Sequence, residues 1–431
     1  MHTVLQTISR RFRLFFRALT IAWLLVWTTA VFAGRWLVFR LAGKPLAVRQ
    51  ALLGETVLGL FRRLGATFIK VGQIMSTRPD LLPPHIISSL SRLQDDVGPF
   101  AFSAVEQTIA QDFGQPLSVL FHAFSVEPIA SASVAQVHRA ELSTGETVAV
   151  KIRRPDIEEL CAFDLSVMLF YARLFELFPS LRLLAPVDSV RQFGQAIAAQ
   201  LDFTIEAENN HRFRAHFAAL PEVIIPKLYP ALCSRRCLTM DFIAGKKILD
   251  VSGTKAQRRA IGELGFRVML KMIFVDGFVH ADLHPGNLLV TPEGRVALLD
   301  LGLVARLDDQ HRAAFARYFS AWAQGDGKTM ADIHVAYSPT PFVTNHEKFT
   351  REIQAFVNRM HGKRLSEVEV AKVVFEVFQI LRRYKVRVNP TFTMVNIAIA
   401  VTEGIGKQLD PTLDLMNEAL PFFLSLSNQR V

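Results

Sequence analysis

Four polar side chains of this 431-residue chain stand at separations that suit a polyphosphate. Lys151 closes the apolar run Val148-Ala149-Val150. Asp282 lies five positions before Asn287 in His280-Ala281-Asp282-Leu283-His284-Pro285-Gly286-Asn287, and Asp300 opens Asp300-Leu301-Gly302 thirteen residues further on. An ammonium group can neutralise phosphate oxygens, and one aspartate can orient or deprotonate an acceptor or a water. An amide oxygen and a second carboxylate can hold Mg2+, which prefers oxygen ligands and phosphate. Taken singly, each residue has a plainer reading. A lysine ending an apolar strand is usually just solvated, and His284-Pro285-Gly286 alone marks a surface turn.

The joint spacing outweighs those plainer readings. It is that of a V-A-I-K strand, a catalytic loop of the form H-R-D-x-x-x-x-N and a D-F-G element, in the order in which protein kinases carry them. A loop over the phosphates is then expected upstream. Twenty-one residues before Lys151 begins Ala130-Ser131-Ala132-Ser133-Val134-Ala135, which keeps the G-x-G-x-x-G interval with alanine at each glycine position. Small residues let backbone N–H groups approach phosphate, but a Cβ disfavours positive φ. This loop is therefore expected to be stiffer than a glycine loop and to hold nucleotide differently. By order along the chain, Met240 and Phe242 fall at the hinge, where backbone groups would meet adenine.

Elements must hold these residues in place. Between residues 46 and 113 apolar positions recur at helical spacing, interrupted by the prolines of Thr77-Arg78-Pro79-Asp80-Leu81-Leu82-Pro83. Alternating segments either side of Ser143-Thr144-Gly145-Glu146 predict a β-hairpin. A long helical stretch follows to about residue 218, then further strands up to Gly245, then mainly helix from residue 255, broken by the catalytic-loop stretch. There is no internal repeat. The predicted fold class is α+β: a two-lobed protein-kinase-like fold with an N-terminal helical extension. The expected boundaries are an apolar segment over 1–45, the helical extension over 46–125, a strand-bearing lobe over 126–245 and a helical lobe over 246–431.

These residues, with others, resemble the UbiB/AarF family of atypical kinases. The resemblance rests on Lys70-Val71-Gly72-Gln73 (the family's KxGQ motif), on Pro128 through Gln136-Val137-His138, on the 280–287 run, and on Glu403-Gly404 with Leu409-Asp410-Pro411. It spans roughly residues 60 to 412. It implies that the KxGQ segment folds over the active site, so that Lys70 and Gln73 face the nucleotide and protein-kinase activity is suppressed. It also implies ATP or ADP with Mg2+, Asn287 and Asp300 being the metal ligands. The implied partners are the nucleotide, a membrane lipid or an isoprenoid or phenolic small molecule, and proteins of a biosynthetic complex. Glu206 matches the helix glutamate that pairs with Lys151; its plain alternative is a solvated helix glutamate. The family's ExD motif falls at Gln200-Leu201-Asp202, where glutamine replaces the glutamate. Gln200 can still accept a hydrogen bond from Lys70 but offers no charge attraction. Leu283 and Leu301 are apolar departures from a family proline and the D-F-G phenylalanine.

Ala18 to Gly34 carries no charge, is preceded by Arg10, Arg11, Arg13 and Arg17, and is followed by Arg35, Arg40 and Lys44. As a helix it just reaches across a hydrocarbon core, where roughly 17–25 residues are needed. An in-plane anchor, a helix buried against the domain and a signal peptide cleaved after Val31-Phe32-Ala33 stay open, although a domain that needs ATP disfavours the last. The expected location is membrane-associated, with the kinase domain on the cytoplasmic face of a bacterial inner membrane. NEALPFFLSLSNQRV at the C-terminal end is too short and polar for a second anchor. The net charge of +10 suits an anionic membrane or phosphorylated ligands; no zinc-finger or RNA-binding signature appears, so no nucleic-acid partner is expected. Cys161, Cys233 and Cys237 do not make a four-ligand zinc site.

Three functions compete. The first is an atypical ATPase or small-molecule phosphotransferase supporting ubiquinone or related isoprenoid-lipid biosynthesis. The second is a nucleotide-binding pseudokinase scaffold, suggested by Gln200 and the alanine loop. The third is a conventional protein kinase, disfavoured by the KxGQ segment and the lack of an A-P-E element after Asp300.

Overall fold

The computed structural model describes residues 2–76, 82–93, 98–178, 185–339, 343–360 and 370–413, with side chains described from residue 12 onward. Most of the proline-marked run after the KxGQ motif and the NEALPFFLSLSNQRV tail lie outside the described residues. The chain forms two compact units: Met1–Asp202 with Ala231–Thr239, and Phe203–Pro230 with Met240–Val431.

The first unit opens with helices α1 (His2–Leu41), α2 (Leu46–Leu64), α3 (Ala66–Ser76), α4 (Pro84–Leu90), α5 (Phe102–Phe113) and α6 (Leu117–Leu120). Their boundaries are set by local chemistry. Pro45 caps α2 with its φ fixed at -54°, and α2 stops at Gly65, whose φ of 85° excludes a regular helix. Pro83 and Pro84 start α4, where the missing N–H costs nothing. The α3 helix, which carries the KxGQ motif, packs against α2 and α4 around Leu58, Ile69, Ile86 and Leu90. Gly72 allows this closeness: a Cβ there would lie 2.3 Å from Leu93 Cδ1 and 2.6 Å from Phe61 Cδ2.

A five-stranded sheet follows, with β1 (Ala123–Phe124), β3 (Ala135–Glu141), β4 (Thr147–Arg153) and β6 (Cys237–Asp241) in spatial order and β2 (Ala130–Ser131) paired to β3. The predicted hairpin is β3–β4, turned at Gly145 with φ 95°. Val148, Val150 and Ile152 alternate into the core, which puts Lys151 and Arg153 together on the opposite face. Two helices complete the unit, α7 (Ile157–Glu176) and α8 (Pro186–Leu201), packed on each other and both touching α3. Among the described residues, the long helical stretch expected from sequence is thus divided into three helices. Its last break is at Asp202, whose extended backbone (φ -108°, ψ 99°) ends α8 before α9 (Phe203–Phe217) begins.

The second unit carries α9, then a four-stranded sheet in the order β5 (Val223–Ile224), β10 (Val296–Leu298), β9 (Leu288–Val290), β7 (Lys246–Lys247). A separate antiparallel pair joins β8 (Phe278–His280) to β11 (Val304–Arg306), with His280 opposite Val304. Around these pack α10 (Lys255–Leu270), α11 (Asp309–Gln324), α12 (Gly327–Ala336), α13 (His346–Met360), α14 (Val370–Arg383) and α15 (Pro390–Leu409). The α10 start is a reciprocal Thr254–Gln257 capping box. One apolar core, centred on Phe213, Phe278, Phe315, Phe356, Phe378 and Phe392, fills this unit. Helix-rich packing behind short strands is the α+β arrangement that the sequence predicted.

Candidate active site

In the second unit Asp282 and Asn287 join one hydrogen-bonded cluster whose hub is His280, and Asp300 follows Leu299, which that cluster holds. The imidazole is fully buried. Its Nε2–H donates to the Leu299 carbonyl oxygen at 3.1 Å, and its Nδ1 accepts the Asp282 N–H at 3.2 Å. The carbonyl can only accept, so the tautomer is fixed. Burial holds the His280 pKa below its ordinary value, against the opposing pull of the Leu299 carbonyl and of the Asp282 and Asp300 carboxylates. A neutral ring therefore ties the 280–287 loop to the 299–303 loop.

Asn287 makes a second tie. Its Nδ2–H donates to the Asp282 carbonyl oxygen at 3.0 Å, and its own carbonyl accepts the Leu299 N–H at 2.9 Å. The amide nitrogen being spent on backbone, the amide oxygen is the part left to face a cation. His284 Nδ1 accepts the Gly286 N–H at 3.1 Å, closing the turn before Asn287. Asp300 adopts φ 51°, the left-handed region, which Asp and Asn tolerate better than other side chains. Leu283 and Leu301, the two apolar departures from the family pattern, are both buried in the core.

Asn209 was not anticipated. It is buried on α9, one turn after Glu206, and its Nδ2–H donates to the Leu301 carbonyl at 2.9 Å. This ties the Asp300-Leu301-Gly302 segment to the helix that carries the buried Glu206. At the expected hinge, Met240 bridges Leu228, and Asp241 accepts the Lys227 N–H at 3.0 Å and the Tyr229 hydroxyl at 3.0 Å. Phe242 follows, half-buried.

In the first unit Lys151 sits half-buried on β4, opposite Val137. The alanine loop is a tight turn: the Ala132 N–H donates to the Ala135 carbonyl at 2.7 Å, and Ala130 and Ser131 are held as β2. None of residues 130–135 has positive φ, so glycine is not required. Ser133 and Val134 are buried, and Arg154 fastens the turn from outside, its Nη2 to Ala132 O at 3.2 Å and its N–H to Val134 O at 2.8 Å. Stiffness therefore comes from hydrogen bonds as well as from the Cβ atoms.

Two residues of the family-like run beyond this loop form a buried polar chain. Gln136 Oε1 accepts the Phe100 N–H at 3.0 Å, its Nε2–H reaches His138 Nε2 at 2.9 Å, and His138 Nδ1–H donates to Ser125 O at 2.8 Å. Burial lowers the His138 pKa, so this ring too is neutral. Alternation along the strand was the available sequence signal: two polar residues at inward positions.

The KxGQ and ExD residues lie on α3 and around the end of α8, which pack together. Lys70 is buried. Gln73 Nε2–H donates to Leu93 O at 3.3 Å, while its Oε1 accepts nothing. Among the described residues Gln200 Oε1 is buried without a hydrogen bond, so it does not take the bond from Lys70 that it could accept. Asp202 instead accepts Arg235 Nε–H at 2.9 Å. Arg153 Nη1–H donates to Leu201 O at 2.6 Å, and both arginines approach Glu158, at 2.8 Å and 3.7 Å. This network fixes the β4 end, two residues past Lys151, to the end of α8.

A family model described as the ABC1 atypical kinase-like domain matches residues 92–334, and one described as the UbiB helical domain matches residues 353–414. The chain belongs to the UbiB/ABC1 family of atypical kinase-like proteins. Its relatives include a probable protein kinase UbiB of Pseudomonas fluorescens (strain Pf0-1), 34% identical over 421 residues, covering 96% of this chain and 78% of the relative. Another from Sodalis glossinidius is 35% identical over 381 residues, covering 86% and 70%. A solved structure, the Rv3197–erythromycin complex from Mycobacterium tuberculosis, aligns with TM-score 0.53 and 21% identity over 79% of this chain and 87% of that one, a likeness of fold. A UbiB-family kinase-like domain carries the general expectation of ATP and Mg2+. The donor set fits: one carboxylate, Asp300, and one amide oxygen, Asn287, are the sparse protein ligation typical of Mg2+ shared with phosphates. Among the described residues no group of three or more His, Cys, Asp or Glu is placed to hold a metal.

Proposed function

We propose that this UbiB-family protein is an ATP-dependent, Mg2+-requiring ATPase or small-molecule phosphotransferase that supports ubiquinone or related isoprenoid-lipid biosynthesis at a membrane. The observation that carries the reading is the His280-centred cluster, which ties Asp282 and Asn287 to Leu299, the residue before Asp300, through side-chain-to-backbone hydrogen bonds and the Leu299 N–H to Asn287 carbonyl bond. Asp282 orients the acceptor hydroxyl or a water and takes its proton. Lys151, held by Glu206, neutralises the α- and β-phosphates, and the turn at Ala130–Ala135 covers them. Asn287 Oδ1 and Asp300 hold the metal, which when bound neutralises charge on the transferring phosphoryl group. Met240 and Phe242 meet the base. Lys70, Gln73, Gln200 and Asp202 regulate access.

Membrane association is supported by α1: an 18-residue window within Phe12–Leu41 has a mean hydropathy of 1.7, and the helix is long and apolar enough to cross a bilayer. We place the kinase-like units on the cytoplasmic side, where ATP is.

The test is ATP turnover by the full chain with Mg2+, in wild type and in Asp300→Asn and Lys151→Ala. Each substitution should lower turnover by about a hundredfold or more, because it removes transition-state electrostatics. A deletion strain complemented with Asp300→Asn should accumulate one biosynthetic precursor. Unchanged turnover in both variants would overturn the enzymatic reading. The scaffold alternative is favoured by Gln200, whose side-chain oxygen is buried without a partner. Full rescue of the deletion strain by Asp282→Asn would decide for it.

A further inference from the structure

The α1 helix does not stand free. Arg17 makes a two-pronged ion pair with Asp164 of α7, Nε to Oδ1 at 2.9 Å and Nη2 to Oδ2 at 2.8 Å, and the Asp164 side chain is 0% exposed. Ile21, with Leu24 and Leu25 beside it, packs against Leu64, Phe68, Phe163, Val167 and Met168. This narrow seam fixes α1 to α7 along one edge only. Beside the seam runs an open groove of about 430 Å³, walled by Phe15, Leu19 and Ala22 on α1 and by Ser166, Phe170 and Tyr171 on α7.

What covers the groove follows from its walls. Its α1 wall lies wholly within the apolar stretch Phe12–Leu41, whose most apolar 18-residue window is only 6% buried. Its α7 wall continues into Leu174, Phe175, Leu177 and Phe178, all exposed. Hydrocarbon around α1 is therefore continuous with the groove and with the end of α7. The volume lies within the roughly 300–1,000 Å³ of ligand pockets, and apart from Ser166 and the Tyr171 hydroxyl its walls are apolar side chains. Ser166 has spent its hydroxyl on the Phe163 carbonyl at 2.6 Å. The exposed Arg13–Asp156 ion pair precedes these α1 residues and makes that end polar, so a ligand with a headgroup there and a chain running toward Ala22 and Phe170 fits the gradient.

We infer that the α1–α7 groove binds one hydrocarbon chain of a bilayer phospholipid, holding α7 at the membrane surface. The inference rests on the membrane reading above and adds a specific site to it. The probe is a phosphatidylglycerol with a photoactivatable diazirine in one acyl chain, carried in phosphatidylglycerol–phosphatidylcholine vesicles with the full chain. Crosslinks should map to the peptide holding Ser166–Tyr171. Ala22→Phe and Ser166→Phe fill the groove from opposite walls while keeping it apolar. Each should lower that crosslink about tenfold and leave vesicle co-sedimentation unchanged. Vesicle binding with crosslinks confined to α1, or insensitive to both substitutions, would overturn the groove and leave membrane association standing. No vesicle binding would overturn both. A dimer of the full chain in detergent that both substitutions abolish, with no lipid crosslink at Ser166–Tyr171, would assign the groove to a second copy instead.

Discussion

Asp300 combines a functional carboxylate with a backbone conformation that most residues resist. Its φ of 51° separates two properties that a single substitution usually confounds. Asp300→Asn keeps a side chain that tolerates the left-handed region, so its urea midpoint should match wild type while turnover falls. Asp300→Ala should lose about 1 kcal/mol of stability in addition, the typical excess cost of a Cβ without a compensating polar group. The types and intervals of Asp282, Asn287 and Asp300 were legible because phosphoryl transfer constrains them directly. Asn209, Arg235 and the Gln136–His138 chain were not singled out for these roles. Their partners are backbone atoms or side chains of distant segments, and no local spacing encodes such a pairing.

At the scale of elements, capping chemistry and apolar period were readable: Pro45, Pro83 and Thr254 start helices, and the alternation around Gly145 makes the hairpin. The break at Asp202 was not, because residues 186–217 keep a helical pattern through it and only the extended backbone at one residue divides α8 from α9. Other positions show slack. Gly265 lies inside α10 with nothing within 4 Å of where a Cβ would sit, and it borders a small apolar cavity under Leu283 and Leu288. Gly265→Ala should therefore stabilise the protein by about 1 kcal/mol through helix propensity, read as a raised thermal midpoint. Activity should be unchanged, since no polar atom of the cluster is touched.

Among the described residues, four histidines have depressed pKa values, in each case chiefly through burial: His138, His216, His280 and His334. His334 is lowered to about 4, packed on the half-buried Tyr318 with Nε2 at 3.2 Å from its hydroxyl. The unfolded chain binds protons at these sites where the folded one does not, so stability is full above the ordinary histidine value near 6.5 and falls as the pH drops below it. His334 alone should cost about 3 kcal/mol between about pH 7 and pH 4. Urea titrations across that range should show the loss, and His334→Gln should flatten its share of the slope.

The seat of Asp164 bears on how the protein can be handled. Detergent-free preparations of such chains are usually sought by cutting away the greasy leader. A cut after Arg17 would remove the partner of a carboxylate that is 0% exposed in the intact chain; losing one member of a buried ion pair costs up to about 3–5 kcal/mol, less where water reaches the remaining charge. The shortened protein should precipitate or melt early, and Asp164→Asn in the same shortened chain should recover most of the loss. The leader thus works as a counter-ion for the folded body as well as an attachment, and solubility screens that vary only the cut site should show a cliff at residue 17.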